Sequence, residues 1–305
     1  MNELTRWIAL DGAVNVRDLG GLPTIDGRTT RFGRVLRSDN LQGLTEADVR
    51  RLVGELKLRD VVDLRSYAEV DLEGPGPLTQ VPEVSIHHLT LFPEGGRHTD
   101  VEADIPDEDD PAAPGTPRNG TPEAGTPGAS PAAGSAGGWR SGARPRIQGD
   151  RVLPWQGKRE DVAEVRVLGF YYAYLLDRPD SVLAALRVLA YGDGAAVVHC
   201  AAGKDRTGVV CALTLSVAGV TRDAIVADYA ATGDRMEGVL ARLRASDTYR
   251  DDLDSRPADS HMPRPEYMDH FLQMLETRDD GPLGWLDRNG WTADDAAALR
   301  SRLLD

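Results

Sequence analysis

Five residues separate Cys200 from Arg206, with His199 directly before the cysteine and Thr207-Gly208 directly after the arginine. Ahead of this run lies Ala195-Ala196-Val197-Val198, a short apolar stretch that follows the turn Gly192-Asp193-Gly194 and reads as a buried strand. Behind it lies an apolar stretch to about Ala218 that reads as a helix. A short loop between a strand end and a helix start can curl its backbone N–H groups inward. The helix adds unpaired donors and the positive end of its dipole. A tetrahedral oxyanion fits that cradle, and the planar fork of Arg206 can meet two of its oxygens. Ala201, Ala202 and Gly203 would bind through their N–H groups, Lys204 would contact substrate anions, and Thr207 would hydrogen-bond the thiolate or assist its departure, the alternative being a first-turn threonine bonded to local backbone. Cys200 at the floor of a positive bowl is expected as its thiolate, a nucleophile toward phosphorus. Displacement would give a cysteinyl-phosphate, which water then hydrolyses. Backbone donors and Arg206 meet the developing charge, so this chemistry asks for no metal and no cofactor.

Other uses of such a loop leave different marks. A nucleotide-binding phosphate loop requires G-x-x-x-x-G-K-[ST], but here Lys204 is followed by Asp205. A phospho-binding module would not need the thiol. A sulfur-transfer enzyme would need neither Asp205 nor a bidentate arginine. Cys211, the second of two cysteines, falls on the apolar helix and reads as core.

The elements around the loop alternate. Thr45 and Asp48 form a capping box ahead of a Val49/Leu52/Val53/Leu56 stripe. Asp60 to Leu64 and Val84 to Leu91 read as strands. Helices are expected over about 158–176, 181–190, 221–231, 234–246, 265–277 and 292–304, the last opening on a Thr292/Asp295 capping box. Pro179 breaks the first of these. The pattern predicts a single α/β domain over 1–305, with a mostly parallel central sheet flanked by helices. One segment departs from it. Seven of the eleven residues from Asp100 to Asp110 are acidic, and from Pro111 to Gly138 only Arg118, Asn119 and Glu123 are not Pro, Gly, Ala, Ser or Thr. That composition cannot bury enough apolar surface to offset chain entropy, which predicts a disordered insertion at about 95–150.

The 305 residues carry 35 basic and 49 acidic side chains, a formal charge of −14. That balance argues against nucleic acid or an anionic bilayer as partner. Two cysteines exclude a disulfide framework. No run approaches the ~18 apolar residues of a membrane span, and the N-terminal run MNELTRWIALDGAVNVRD has no signal-like apolar core. The expectation is a cytoplasmic protein without stable membrane insertion, with export by a signal-less route left open.

His199-Cys-Ala-Ala-Gly-Lys-Asp-Arg-Thr-Gly208 resembles the phosphate loop of the cysteine-dependent tyrosine phosphatases. More narrowly, it resembles the atypical bacterial branch that includes a secreted mycobacterial tyrosine/lipid phosphatase. Asn15-Val16-Arg17-Asp18-Leu19-Gly20-Gly21, Leu36-Arg37-Ser38, Val61-Val62-Asp63-Leu64-Arg65-Ser66 with Glu69, and Gly284-Trp285-Leu286 are similar to that family's pattern. The resemblance covers most of the chain outside 95–150. It implies a tyrosine-phosphatase-like fold and a protein-tyrosine phosphatase acting on phosphotyrosine proteins. Phosphoinositide or dual specificity is the alternative, supported by Lys204. The leaving group needs a proton donor. The resemblance implicates Asp205. Glu94 stands where the family relative carries an aspartate. Asp180, in Arg178-Pro179-Asp180, imitates a separate acid loop but reads better as a helix N-cap. The resemblance also suggests that Asp63 and Arg65 brace the site. Tyr171, Tyr172 and Tyr174 read as helix packing, and His199 as a buried residue orienting the loop.

Overall fold

A computed structural model of the chain describes residues 6–92, 163–254 and 258–305. The expected insertion at 95–150 and Glu94 lie outside the described residues.

Five strands form one sheet in the order β1 (Arg17–Asp18), β2 (Val35–Ser38), β5 (Ala195–His199), β3 (Leu58–Asp63) and β4 (Ser85–His88). Only the β1–β2 pair is antiparallel; the other three pairs are parallel. Buried strands with helices on their faces read as unbroken apolar runs, as Ala195–Val198 does. Its side chains still alternate. Ala196 and Val198 enter the larger core with Val62, Leu64 and the helices, whereas Val197 joins a smaller core with Leu36, Leu52 and Val61.

The register sets the site. Ser38, His199, Asp63 and His88 lie side by side across the four parallel strands. The carboxyl ends of these strands therefore finish on one line, where an open parallel sheet leaves its ligand crevice.

Around the sheet run α1 (Glu46–Arg50), which continues as a wider turn to Glu55, and α2 (Tyr67–Glu73). After the undescribed segment come α3 (Ala163–Asp177), α4 (Pro179–Tyr191), α5 (Asp205–Val217) and α6 (Arg222–Ala230). Then follow α7 (Met236–Ala245), α8 (Arg250–Asp254), α9 (Pro265–Asp279), α10 (Gly281–Arg288) and α11 (Ala293–Leu303). Capping boxes start α1 at Thr45/Asp48, α2 at Ser66/Glu69 and α11 at Thr292/Asp295. The central helix α5 is buried along nearly its whole length, which explains its apolar composition on every face. Two expectations need correction. The Val84–Leu91 strand is shorter, spanning Ser85–His88. Asp180 is not an N-cap: Arg178 holds that position, and Asp180 sits in the first turn of α4 paired with Arg178 at 2.9 Å. Among the described residues, no helix is long and apolar enough to cross a membrane.

Candidate active site

The loop Cys200–Lys204 joins β5 to α5, and its carbonyls are tied down from outside. The Cys200 oxygen meets Nδ1 of His199 at 3.3 Å. The Ala201 oxygen accepts the Asn40 N–H at 2.9 Å. Asn15 Nδ2 donates to the Ala202 oxygen at 3.0 Å, and Arg37 Nη2 to the Gly203 oxygen at 2.7 Å. The Lys204 oxygen accepts the Gly208 N–H at 2.8 Å, in the first turn of α5. In a planar trans peptide the N–H points opposite to its C=O. Holding these five carbonyls outward therefore turns the N–H groups of residues 201–205 the other way, into the curl. Gly203 has φ +66°, and a Cβ there would run into the Ser38 carbonyl. The loop can pass so close to β2 only with glycine at that position.

What fixes the outer ring is a buried knot of charge. Asp228 of α6 takes Arg37 on one oxygen at 2.6 Å and both Arg17 and Arg6 on the other. Arg17 also donates to Asn15 Oδ1 at 2.5 Å, which aims the asparagine amide at the loop. Burial and the neighbouring Arg37 lower Arg17 to about 10, so its guanidinium stays charged at neutral pH. Burial would raise the Asp228 carboxyl, but the arginines outweigh it and hold it well below the usual range. One carboxylate thus faces three cations behind the loop.

Arg206 is the second residue of α5 and is buried. Both of its terminal nitrogens go to Glu69, at 2.5 and 2.9 Å. Glu69 belongs to the α2 capping box, so the same carboxylate accepts the Ser66 N–H at 2.7 Å, and Tyr249 of the segment before α8 donates to it at 3.2 Å. Burial would raise Glu69, but Arg206 overcomes that and lowers it. The Phe92 ring lies over the guanidinium, 5.3 Å from centroid to Cζ, and Tyr174 packs edge-on against Phe92 at 5.5 Å.

Asp63 and Arg65 form a buried forked pair at 2.6 Å, not a surface one, with His199 Nε2 3.6 Å from the carboxylate. Burial takes His199 down to about 4 against the pull of Asp63, so the ring is neutral and serves to orient. Among the described residues, Thr207 Oγ1 is buried with no hydrogen-bond partner. The alternative, a local backbone bond, is not made among the described residues, which leaves the hydroxyl for the loop's occupant or the thiol. Lys204 is not a solvated lysine: its amine donates to the His261 carbonyl at 2.9 Å and lies 3.4 Å from Asp205 Oδ2. Asp205 opens α5, and Tyr171 donates to its Oδ1 at 2.5 Å. Tyr171 is therefore more than the packing residue expected of it. Burial pushes the Cys211 thiol up to about 11, which fits an inert core cysteine.

The geometry thus brings Cys200, Ala201, Ala202, Gly203, Lys204, Asp205, Arg206 and Thr207 into one anion-shaped loop. Asp180 stays with Arg178 at the start of α4. Residues 8–305 match the tyrosine phosphatase family. The chain belongs to that family. The phosphatase is 32% identical over 250 residues to the triple specificity protein phosphatase PtpB of Mycobacterium tuberculosis, covering 81% of this chain and 77% of that one. It is 34% identical over 125 residues to a tyrosine-protein phosphatase of Nostoc commune, covering 38% and 42% respectively. As a member of this family, it is a protein-tyrosine phosphatase. Sequence reasoning did not single out Asn15, Arg37, Asp228 or Tyr249 as supports of the phosphatase site. Glu69 carried a readable signal, since Ser66-x-x-Glu69 is a capping-box pattern.

Proposed function

We propose that the phosphatase hydrolyses phosphotyrosine in proteins through a cysteinyl-phosphate on Cys200. The observation that carries this reading is the loop of outward-tied carbonyls around Cys200, closed by the Glu69-held fork of Arg206. The N–H groups of Ala201, Ala202, Gly203 and Lys204, together with Arg206, hold the three non-bridging oxygens. The Cys200 thiolate attacks phosphorus in line with the ester oxygen, so an S–P bond forms as the P–O bond breaks. Asp205 gives its proton to the departing phenoxide. Water then attacks phosphorus, Asp205 takes its proton, and the S–P bond breaks to return thiolate and inorganic phosphate. Thr207 Oγ1, buried and without a partner among the described residues, is suited to donate to the sulfur as it leaves.

One comparison favours a phenolic ester. The relative from Nostoc is named a tyrosine-protein phosphatase. The second reading, a wider range that includes phosphoserine or phosphoinositides, is favoured by the triple specificity named for the mycobacterial relative. Lys204 lends it less weight than its charge suggests, because its amine is occupied by the His261 carbonyl and Asp205. Phosphate release from a phosphotyrosine peptide, a phosphoserine peptide and a phosphoinositide, by wild type and Cys200→Ser, tests both. Preference for the first substrate with a silent variant supports the proposal. Equal turnover of all three selects the second reading, and no release by wild type overturns both.

A further inference from the structure

Tyr171 reaches Asp205 from a separate element. It lies on α3, 1% exposed, and its hydroxyl donates to Asp205 Oδ1 at 2.5 Å. The same hydroxyl is 2.8 Å from the hydroxyl of Tyr229 on α6. An ionised carboxylate only accepts, so the Tyr171 proton is committed to Oδ1, and Tyr229 must be the donor between the two phenols. Burial and the Asp205 charge push Tyr171 well above the ordinary phenol value, and the same two influences do so for Tyr229. Both therefore remain donors throughout the pH range of turnover.

The phenols are held by packing as well. Phe271 of α9 and the Tyr229 ring meet Tyr171 edge-on at 5.8 and 6.4 Å, and Tyr174 stacks on it at 6.4 Å. Gly208 lets Tyr229 lie against α5, since a Cβ there would stand 3.0 Å from the ring. Oδ2, by contrast, is turned toward Lys204 at 3.4 Å. A carboxyl group can donate a proton from either oxygen, and only one of them can face the leaving group. A Tyr171 hydroxyl that goes on donating to Oδ1 once the carboxyl is protonated confines the acid proton to Oδ2.

We propose that Tyr171, backed by Tyr229, is the positioning residue of the general acid, reserving Oδ1 of Asp205 as an acceptor so that Oδ2 carries the transferable proton. This inference rests on the reading of Asp205 as the acid. Its test uses Tyr171→Phe, which keeps the packed ring and removes only the hydroxyl. Two substrates are compared by kcat/KM, which reports formation of the phosphoenzyme. One is phenyl phosphate, whose leaving group needs a proton; the other is dinitrophenyl phosphate, whose leaving group does not.

Tyr171→Phe is expected to lose about tenfold on phenyl phosphate, the equivalent of one charge-assisted hydrogen bond. It should lose nothing on dinitrophenyl phosphate and bind inorganic phosphate as wild type does. Tyr229→Phe follows the same pattern with a smaller loss. In an Asp205→Asn background, Tyr171→Phe has no further effect. An equal loss on both substrates, no loss on either, or a full loss in the Asp205→Asn background overturns the positioning role. If Asp205→Asn itself loses nothing on phenyl phosphate, the acid assignment falls and takes this inference with it. If Asp205→Asn loses activity and Tyr171→Phe does not, the positioning role alone falls.

Discussion

Replacing Glu69 with glutamine isolates the charge that holds Arg206. The amide keeps the shape of the carboxylate and an oxygen for the Ser66 N–H, which the native side chain receives at 2.7 Å. It removes the counter-charge to a guanidinium that is 5% exposed and otherwise donates to the Leu64 carbonyl. Breaking a buried pair by neutralising one partner leaves an uncompensated charge and costs about 3–5 kcal/mol. At roughly 2–4 °C per kcal/mol for a domain of this size, the melting temperature of Glu69→Gln should fall by about 10 °C. A bound phosphate supplies the missing negative charge at the other side of the fork. Saturating inorganic phosphate should therefore stabilise the variant more than it stabilises wild type, narrowing the gap. Turnover should fall more than tenfold, because the fork is no longer held against two fixed oxygens. Thermal melts and urea unfolding with and without phosphate, alongside steady-state kinetics, read all three effects. A variant within about 1 kcal/mol of wild type, or one that keeps its turnover, would refute the claim that Glu69 holds Arg206 in place.

Asp205→Asn should lose about 10²–10⁴-fold on phosphotyrosine peptide while binding phosphate normally, which steady-state kinetics and phosphate inhibition will show. Gly203→Ala should cost both stability and turnover, since φ +66° and the Ser38 carbonyl leave no room for a Cβ; a thermal melt and an activity assay at wild-type levels would contradict that. His199 titrates at about 4 in the folded chain, against ~6.5 when unfolded. The unfolded chain therefore binds the extra proton in that window. This contribution is complete above pH ~6.5 and is lost as the pH falls toward 4, on the order of 3 kcal/mol in all. Asp63, held below its ordinary value, extends the loss to still lower pH. His199→Gln should flatten the stability profile between pH 4 and 6.5 in urea titrations, and an unchanged slope contradicts the assignment. Asp228→Asn should destabilise the fold and weaken phosphate binding together, measured by calorimetry, because Arg37 and Asn15 lose their anchor; unchanged binding by a destabilised variant would separate the knot from the loop.

The part of the site that is contiguous in sequence was legible. Cys200 to Gly208, an apolar run before it and an apolar helix after it define the strand–loop–helix unit without reference to distant residues. Local signals also found the helix starts at Thr45 and Thr292. What could not be read was the second ring of residues, because it is assembled by register. Asn15 and Arg37 reach the loop only because β1 pairs with β2 and β2 with β5, and Asp228 joins them from 211 residues beyond Arg17. Periodicity says that Tyr171 faces inward but not that its hydroxyl finds a carboxylate. Asp180 was read as a cap from its place after Pro179, whereas proline took the first helical position and moved the cap back to Arg178. The Ser66/Glu69 box could have been read as a helix start, but its link to Arg206 depends on where the fold sets α2 relative to the start of α5.

The central claim is that phosphate passes through Cys200. Wild-type enzyme mixed with a phosphotyrosine peptide, quenched by denaturant within one turnover, digested and analysed by mass spectrometry tests it most directly. Phosphate should be found bound covalently to the peptide containing Cys200, forming no later than free phosphate, and absent from Cys200→Ser, which releases none. Phosphate release by Cys200→Ser at the wild-type rate, or turnover by wild type with no phosphocysteine at any time, would contradict it.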